Sequence, residues 1–324
     1  MTKLDEFIQE LCPDGVKYLP IPELFITRNG YTPSKANNEF WENGTIPWFR
    51  MEDIRENGRI LTTATQYVSE KAVKGKLFPA DSIIIATSAT IGEHALIKVP
   101  SLANQRFTYL TLKDEFKDCV DMMFVFYYCF RLDEYCKSHL NQGNFASVDM
   151  KQFAAFKFPV PPLPVQCEIV RILDNFAELT AELTAELTAR KKQYEYYRDL
   201  LLTFDDRGGA TSNVVWRKLG DCCTLKAGKM IASSEISSIK TEQYRYPCFG
   251  ANGYRGYVQN FNQEGKHALI GRQGALCGNV CYAQGRFYAT EHSIVVSHDS
   301  KFNDRFLFHL LNASNLSQYK TAGA

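Results

Sequence analysis

Along residues 165–204 apolar side chains recur at Ile169, Ile172, Phe176, Leu179 and Leu183, spacings of 3, 4, 3 and 4. That is the seam of a coiled-coil helix. The same stretch holds no Pro and no Gly, and Ala-Glu-Leu-Thr is repeated three times from Ala177 to Thr188. The repeat places Leu179, Leu183 and Leu187 four residues apart, a local stutter in the heptad. The stripe resumes at Tyr194, Tyr197 and Leu201. At ~1.5 Å per residue, 40 residues make a rod of roughly 60 Å. Such a helix, with one apolar stripe, needs a partner helix. Prolines at 159, 161, 162 and 164 predict a stiff extended lead-in that excludes helix, and residues 205–209 predict its end.

Either side of this rod the pattern changes to short runs with strand character, and the two sides resemble each other. Val16, Tyr18, Ile21 and Glu23 are matched by Val214, Trp216, Leu219 and Asp221 at an offset of 198, as Gly30 is by Gly228. Residues 89–92 (Ala-Thr-Ile-Gly) meet 275–278 (Ala-Leu-Cys-Gly) at 186, and the apolar run 124–128 meets 306–310 at 182. Order is kept while the offset shrinks, as in two homologous domains with shorter loops in the second. Each half is expected to open with a strand (16–21, 214–219), continue through strands near 82–87, 267–270 and 293–296, and close with a helix near 118–138 or 303–318. Asn43-Gly44, Asn57-Gly58 and Asn252-Gly253 mark turns. The expected fold is α+β. Two homologous mixed α/β domains, 1–158 and 207–324, with mostly antiparallel sheets, are joined by the helical spacer 159–206.

Composition narrows the class. Apolar residues at 45% and charged ones at 23% of 324 fit a globular chain. The longest apolar run, 119–130, contains Asp121, and the N-terminus lacks an apolar core. No membrane span or signal peptide is expected, and the predicted location is cytoplasmic. The ten cysteines read as reduced, mostly buried thiols. Basic and acidic groups number 18 and 20 in residues 1–160, 5 and 7 in 161–204, and 14 and 9 in 205–324, so only the last third is basic, by 14 − 9 = +5.

The chain holds no P-loop, no G-x-S-x-G elbow and no H-E-x-x-H helix. Cys277, Cys281 and His292, with Cys223 as an optional fourth member, are the best metal candidates, but tight knuckle spacing and an evident fourth ligand are lacking, so no metal is expected. Polar and basic residues instead collect at predicted loops: Thr32, Ser34, Lys35, Arg50, Asn104, Gln105 and Arg106 in the first half, and Lys229, Asn252, Tyr254, Arg255, Arg272 and Gln273 in the second. Arg forks onto guanine and Asn or Gln onto adenine, while Tyr, Lys and Gly-turn amides suit phosphates. On the residues alone, base readout competes with ordinary polar loops. A coiled-coil adaptor joining two non-DNA modules and a zinc or thiol enzyme also stay open.

Several motifs resemble the specificity (S) subunit of type I DNA restriction-modification systems. Gly30-Tyr-Thr-Pro33, Ile46-Pro-Trp48 with Met51-Glu-Asp-Ile54, Ala89-Thr-Ile-Gly92 and Asn104-Gln105 resemble its target recognition domains, as do residues 270–278 and Ala289-Thr-Glu-His292. Val160-Pro-Pro-Leu-Pro164, Gln166, Glu168-Ile-Val170 and Ile172-Leu-Asp174 resemble its central conserved helix, and the repeat resembles a subfamily with Thr-Ala-Glu-Leu spacers. The resemblance implies a non-catalytic DNA-recognition chain that binds no cofactor itself. Each domain would read half of a split target in double-stranded DNA while the helix sets the spacer. Methyltransferase (M) subunits would supply S-adenosylmethionine chemistry, and endonuclease/translocase (R) subunits ATP and Mg2+ chemistry. The family normally has a second conserved helix after the second domain, and no copy of residues 158–204 follows here. A C-terminal truncation is therefore expected, with self-association through the unpaired helix.

Overall fold

A computed structural model describes residues 2–141, 146–204, 215, 217–298 and 302–320. Compactness divides the chain into Met1–Leu183 and Thr184–Ala324, a boundary inside one continuous helix, Leu163–Leu202. The α+β expectation holds, with two similar α/β halves joined by that helix.

In the first half a five-stranded sheet runs in the order Phe25–Asn29, Phe107–Leu112, Ser82–Ala86, His94–Ile97, Ile60–Leu61. All pairs are antiparallel except the last. Ser82–Ala86 is buried on both faces, so its side chains sort by alternation. Ile83 and Ile85 pack with Leu96, Leu110 and the helix Met122–Ser138, whereas Ile84 and Ala86 pack with Trp48, Phe49 and Tyr109. A three-stranded sheet, Tyr67–Val68, Ile46–Phe49, Leu102–Ala103, completes that second layer.

The second half repeats this register by register. Phe25–Asn29 pairs from Phe25↔Leu112 to Asn29↔Thr108, and Cys223–Ala227 pairs from Cys223↔His298 to Ala227↔Ile294, at the offsets 198 and 186 of the sequence match. Ile83↔Leu110 and Ile83↔Leu96 become Ala268↔Val296 and Ala268↔Tyr282. The helical turn Ile21–Leu24 becomes Leu219–Cys222. Asp121 accepts from the amides of Met123 and Phe124 to cap the first helix; Asn303 caps Asp304–Ala313 in the same way, 182 residues on. The strands His94–Ile97 and Leu102–Ala103 correspond to one long strand, Val280–Ala289, which merges both layers into a six-stranded sheet.

Several expectations are corrected. The opening strand is Lys17–Pro20, paired with Lys157–Val160, and the chain turns helical at Ile21. Val214 and Trp216 lie outside the described residues, as do residues 205–209. The long helix begins at Leu163 rather than 165, with Pro164 inside its first turn, where a missing amide donor costs nothing. Only Cys12, Cys129, Cys136 and Cys248 are buried; Cys119 and Cys167 are exposed and the other four half-buried.

The seam is also less uniform than its periodicity suggests. Its start docks on the first half: Val165, Gln166 and Glu168 are buried, and Ile169 and Ile172 half-buried. Phe176, Leu179, Leu183 and Leu187 stand 63, 49, 57 and 55% exposed. Further on, Tyr194, Tyr197 and Leu201 border a small apolar pocket with Phe306 and His309, and the Tyr194 hydroxyl meets His309 Nδ1 at 3.1 Å. That last turn of the stripe is thus partly met by the closing helix of the second half rather than left to an outside partner. No described helix is long and apolar enough to cross a membrane.

Candidate nucleic-acid interface

The loop residues of the first half converge on residues 104–106. The Gly30 amide donates to Phe107 O (2.9 Å) and the Tyr31 amide to Ala103 O (2.8 Å). A Cβ at Gly30 would lie 2.3 Å from Asn104 O, so only glycine permits this approach. Thr32 next in line hydrogen-bonds Gln105 Oε1. The Asn104 amide donates to Phe49 O (3.0 Å), which brings the loop beside Arg50, and Asn104 Oδ1 accepts from the Arg106 amide at 3.0 Å. Arg106 O accepts from the Thr87 amide at 2.9 Å. Arg50 is held: its Nη2 donates to Thr65 Oγ1 at 3.0 Å, and that hydroxyl donates to the buried Asp53 carboxylate at 2.6 Å. Its Nε is buried and lacks a partner among the described residues. Ser34 and Lys35 lie apart from this cluster, exposed on the following turn, where Ser34 O accepts from Trp41 Nε1.

The second half builds the same cluster around residues 289–293. Gly228 donates to Ser293 O (3.0 Å) and Lys229 to Ala289 O (2.9 Å), and a Cβ at Gly228 would lie 2.3 Å from Ala289 O and Thr290 O. The Thr290 amide donates to Phe249 O (2.9 Å), as Asn104 does to Phe49, and the Arg272 amide donates to His292 O (2.8 Å), as Thr87 does to Arg106. Gln273 Oε1 meets His292 Nδ1 at 3.2 Å, and His292 Nε2 lies 3.2 Å from Glu291. Asn252 sits exposed in a hairpin turn closed by Gly253 at φ +84°, and Tyr254 and Arg255 follow on the strand. Surrounding protein and a hydrogen bond with Tyr257 push the Tyr254 phenol up to about 12, so it stays a donor at neutral pH.

Thr32, Arg50, Asn104, Gln105 and Arg106 are therefore brought together, as are Lys229, Arg255, Arg272 and Gln273. Sequence reasoning missed Thr65 and Thr87, and it singled out Thr290 and Glu291 only within the Ala289–His292 motif, not as candidate contacts. The 186 offset, extended from the Gly-containing turn, carries Asn104, Gln105 and Arg106 onto Thr290, Glu291 and His292, and would have marked the first two as counterparts of candidate contacts.

Among the described residues no three His, Cys, Asp or Glu side chains group as metal ligands. Cys277 Sγ faces Arg272 O at 3.3 Å, and burial pushes the Cys281 thiol, packed in the sheet, up to about 11. What the clusters offer is an array of amide, guanidinium and carboxyl edges beside Gly-turn amides, the chemistry of base edges and phosphates.

Known proteins agree with that chemistry. A family model described as the type I restriction modification DNA specificity domain matches residues 13–190 and again 211–324. The EcoprrI specificity subunit of Escherichia coli is 55% identical over 327 residues, covering 96% of this chain and 80% of that protein. The EcoR124I/EcoR124II specificity subunit of Escherichia coli is 37% identical over 201 residues, 58% of this chain and 48% of that protein. A solved type I restriction-modification S subunit from M. genitalium has the same fold, with TM-score 0.61 at 16% identity over 94% of this chain and 79% of that one. The chain belongs to the type I restriction-modification DNA specificity family, as a non-catalytic specificity subunit with two target recognition domains.

Proposed function

We propose that each half reads one part of a bipartite target in double-stranded DNA and that the helix Leu163–Leu202 sets the distance between the two parts. One observation carries this reading: the loop cluster around 104–106 recurs, backbone hydrogen bond for backbone hydrogen bond, around 290–292, on different side chains. A scaffold held constant while its polar edges change is what two readers of two sequences require. The functional division follows as 1–158, 159–206 and 207–324. The reading residues are Thr32, Arg50, Asn104, Gln105 and Arg106 in one half and Lys229, Tyr254, Arg255, Arg272 and Gln273 in the other, with Ser34, Lys35 and Asn252 as flanking contacts.

The Ala-Glu-Leu-Thr repeats support assigning the chain to a subfamily with such spacers. Methyltransferase subunits dock along the helix, endonuclease/translocase subunits join them, and S-adenosylmethionine, ATP and Mg2+ belong to those partners. The exposed stripe from Phe176 to Leu187 is where a partner helix lies, and it also equips the chain to self-associate. The complex of this chain with methyltransferase subunits is to be offered a pool of random duplexes, and the retained ones sequenced. Two short fixed blocks separated by an unspecified spacer are expected. Retention without sequence preference would favour the adaptor reading instead.

A further inference from the structure

In the first half an arginine follows the strand Ile46–Phe49, and its Nη2 donates to Thr65, which lies just ahead of the neighbouring strand Tyr67–Val68. In the second half the arginine comes from the other side of the pair. Pro47↔Tyr67 and Ile46↔Val68 correspond to Pro247↔Tyr257 and Tyr246↔Val258. Counting along from these pairs, Gly250 stands where Arg50 stands and Arg255 where Thr65 stands. The ladder also shifts register here: Cys248 pairs with Gly256 and Phe249 with Tyr254, which leaves Arg255 as the extra, bulged residue. A bulge re-aims a side chain. This one sends the Arg255 stem over Gly250, where a Cβ would lie 2.8 Å from Arg255 Cδ and 3.3 Å from Thr290 Oγ1. The arginine thus passes through the space that the Arg50 side chain leaves from, beside the same turn of its own reading loop.

Resting on the DNA reading above, we propose that Arg50 and Arg255 are the same recognition element, one guanidinium per half that reads a guanine, and that Gly250 is the positioning residue that lets the second half deliver it from the neighbouring strand. Guanine is the base whose O6 and N7 match the guanidinium fork. The swap explains why the two arginines escape alignment at a single offset: one lies on each side of a strand pair. It also gives Gly250, which has no forced backbone angle, a reason to lack a side chain.

The test uses the complex with methyltransferase subunits, at fixed salt, on duplexes carrying the selected target and on every single-base variant of each half. Arg50→Gln is expected to weaken target binding by about 5- to 150-fold and to erase discrimination at one G·C pair of one half-site, leaving the other half-site as it was. Arg255→Gln mirrors this in the other half. Arg255→Lys, which keeps charge and stem but not the fork, loses the same discrimination. Gly250→Ala acts in the direction of Arg255→Gln and has no further effect in an Arg255→Ala background, because the stem it displaces is gone. Equal weakening on all sequences would make the arginines phosphate contacts and overturn the proposal. A Gly250→Ala effect that persists without Arg255 would make Gly250 a fold residue and overturn the positioning role. Unchanged discrimination in all variants sinks the proposal alone, whereas a wild-type complex without base preference sinks the DNA reading with it.

Discussion

Gln166 fastens the connecting helix to the first half. Its side chain is fully buried and makes three hydrogen bonds. Oε1 accepts from the Asp121 amide (2.9 Å), and Nε2 donates to Cys119 O (2.8 Å) and to Pro161 O (2.7 Å). Asp121 also caps the helix Met122–Ser138, so one amide ties the entry of the connecting helix to the cap of that earlier helix. Gln166→Met keeps most of the volume and removes all three bonds. At about 0.5–1.5 kcal/mol each, with water able to reach the Asp121 and Cys119 ends, the loss comes to about 2–3 kcal/mol. For a unit of this size that is roughly 4–12 °C in Tm. Differential scanning calorimetry should show this drop in the transition of the first half. Cys167→Ser, exposed and next in sequence, should change Tm by no more than about 1 °C. Gln166→Glu cannot donate to the two carbonyls and buries a charge, so it should lose at least as much as Met. A Met variant that melts with the wild type would refute the reasoning.

Other outcomes follow from the same geometry. Arg171, bonded to Glu168 at 2.6 and 2.9 Å, holds its carboxyl below the ordinary value of 4.5, so the pair stabilises the fold above that value and the gain is lost as pH falls through the lowered pKa. Glu168→Gln should therefore lower the urea midpoint at pH 7, and the gap to wild type should close on acidification; a gap that persists at pH 2–3 contradicts the assignment. Native alkylation at pH 8 should modify Cys119 and Cys167 first and spare Cys129, Cys136 and Cys248, whose thiols burial pushes up, to about 12 for Cys136 and about 11 for Cys248. Early labelling of Cys136, read by peptide mass spectrometry, would mean the helix Met122–Ser138 is not packed as described. Deleting residues 181–184, one Ala-Glu-Leu-Thr unit, shortens the helix by ~6 Å and turns its far end by roughly 40°. The spacer in the methylated motif should shrink by about one base pair, with both half-sites kept; an unchanged spacer rejects the ruler.

Much of the fold was legible because it is written twice. The offsets 198 and 186 are the register of the outer strand pair and 182 that of the closing helix cap, while other strands follow at offsets that the sequence match did not show. The seam was legible from its period, but its two ends were not. Burial of Gln166 and Glu168 and the meeting of Tyr194 with His309 are tertiary contacts that a heptad count does not carry. Pro164 in the first helical turn reads in sequence as a helix breaker and is harmless only because that turn has no donor to lose. At the candidate interface, residue types pointed to loops that the structure gathers into one cluster in each half. The exchange of Arg50–Thr65 for Gly250–Arg255 stayed hidden, because it crosses strands and depends on a bulge.

The central claim is that two homologous readers on one helix address two separate DNA blocks. Its most direct test is the methylation pattern of a genome in cells that express the methyltransferase subunits with and without this chain. With the chain present, methylated adenines should fall in a motif of two fixed blocks and one unspecified spacer, and the motif should vanish without it. Exchanging residues 1–158 for the corresponding domain of a relative should replace one block and leave the other. A methylated motif that does not depend on the chain, or a single block that survives the exchange, would contradict the account.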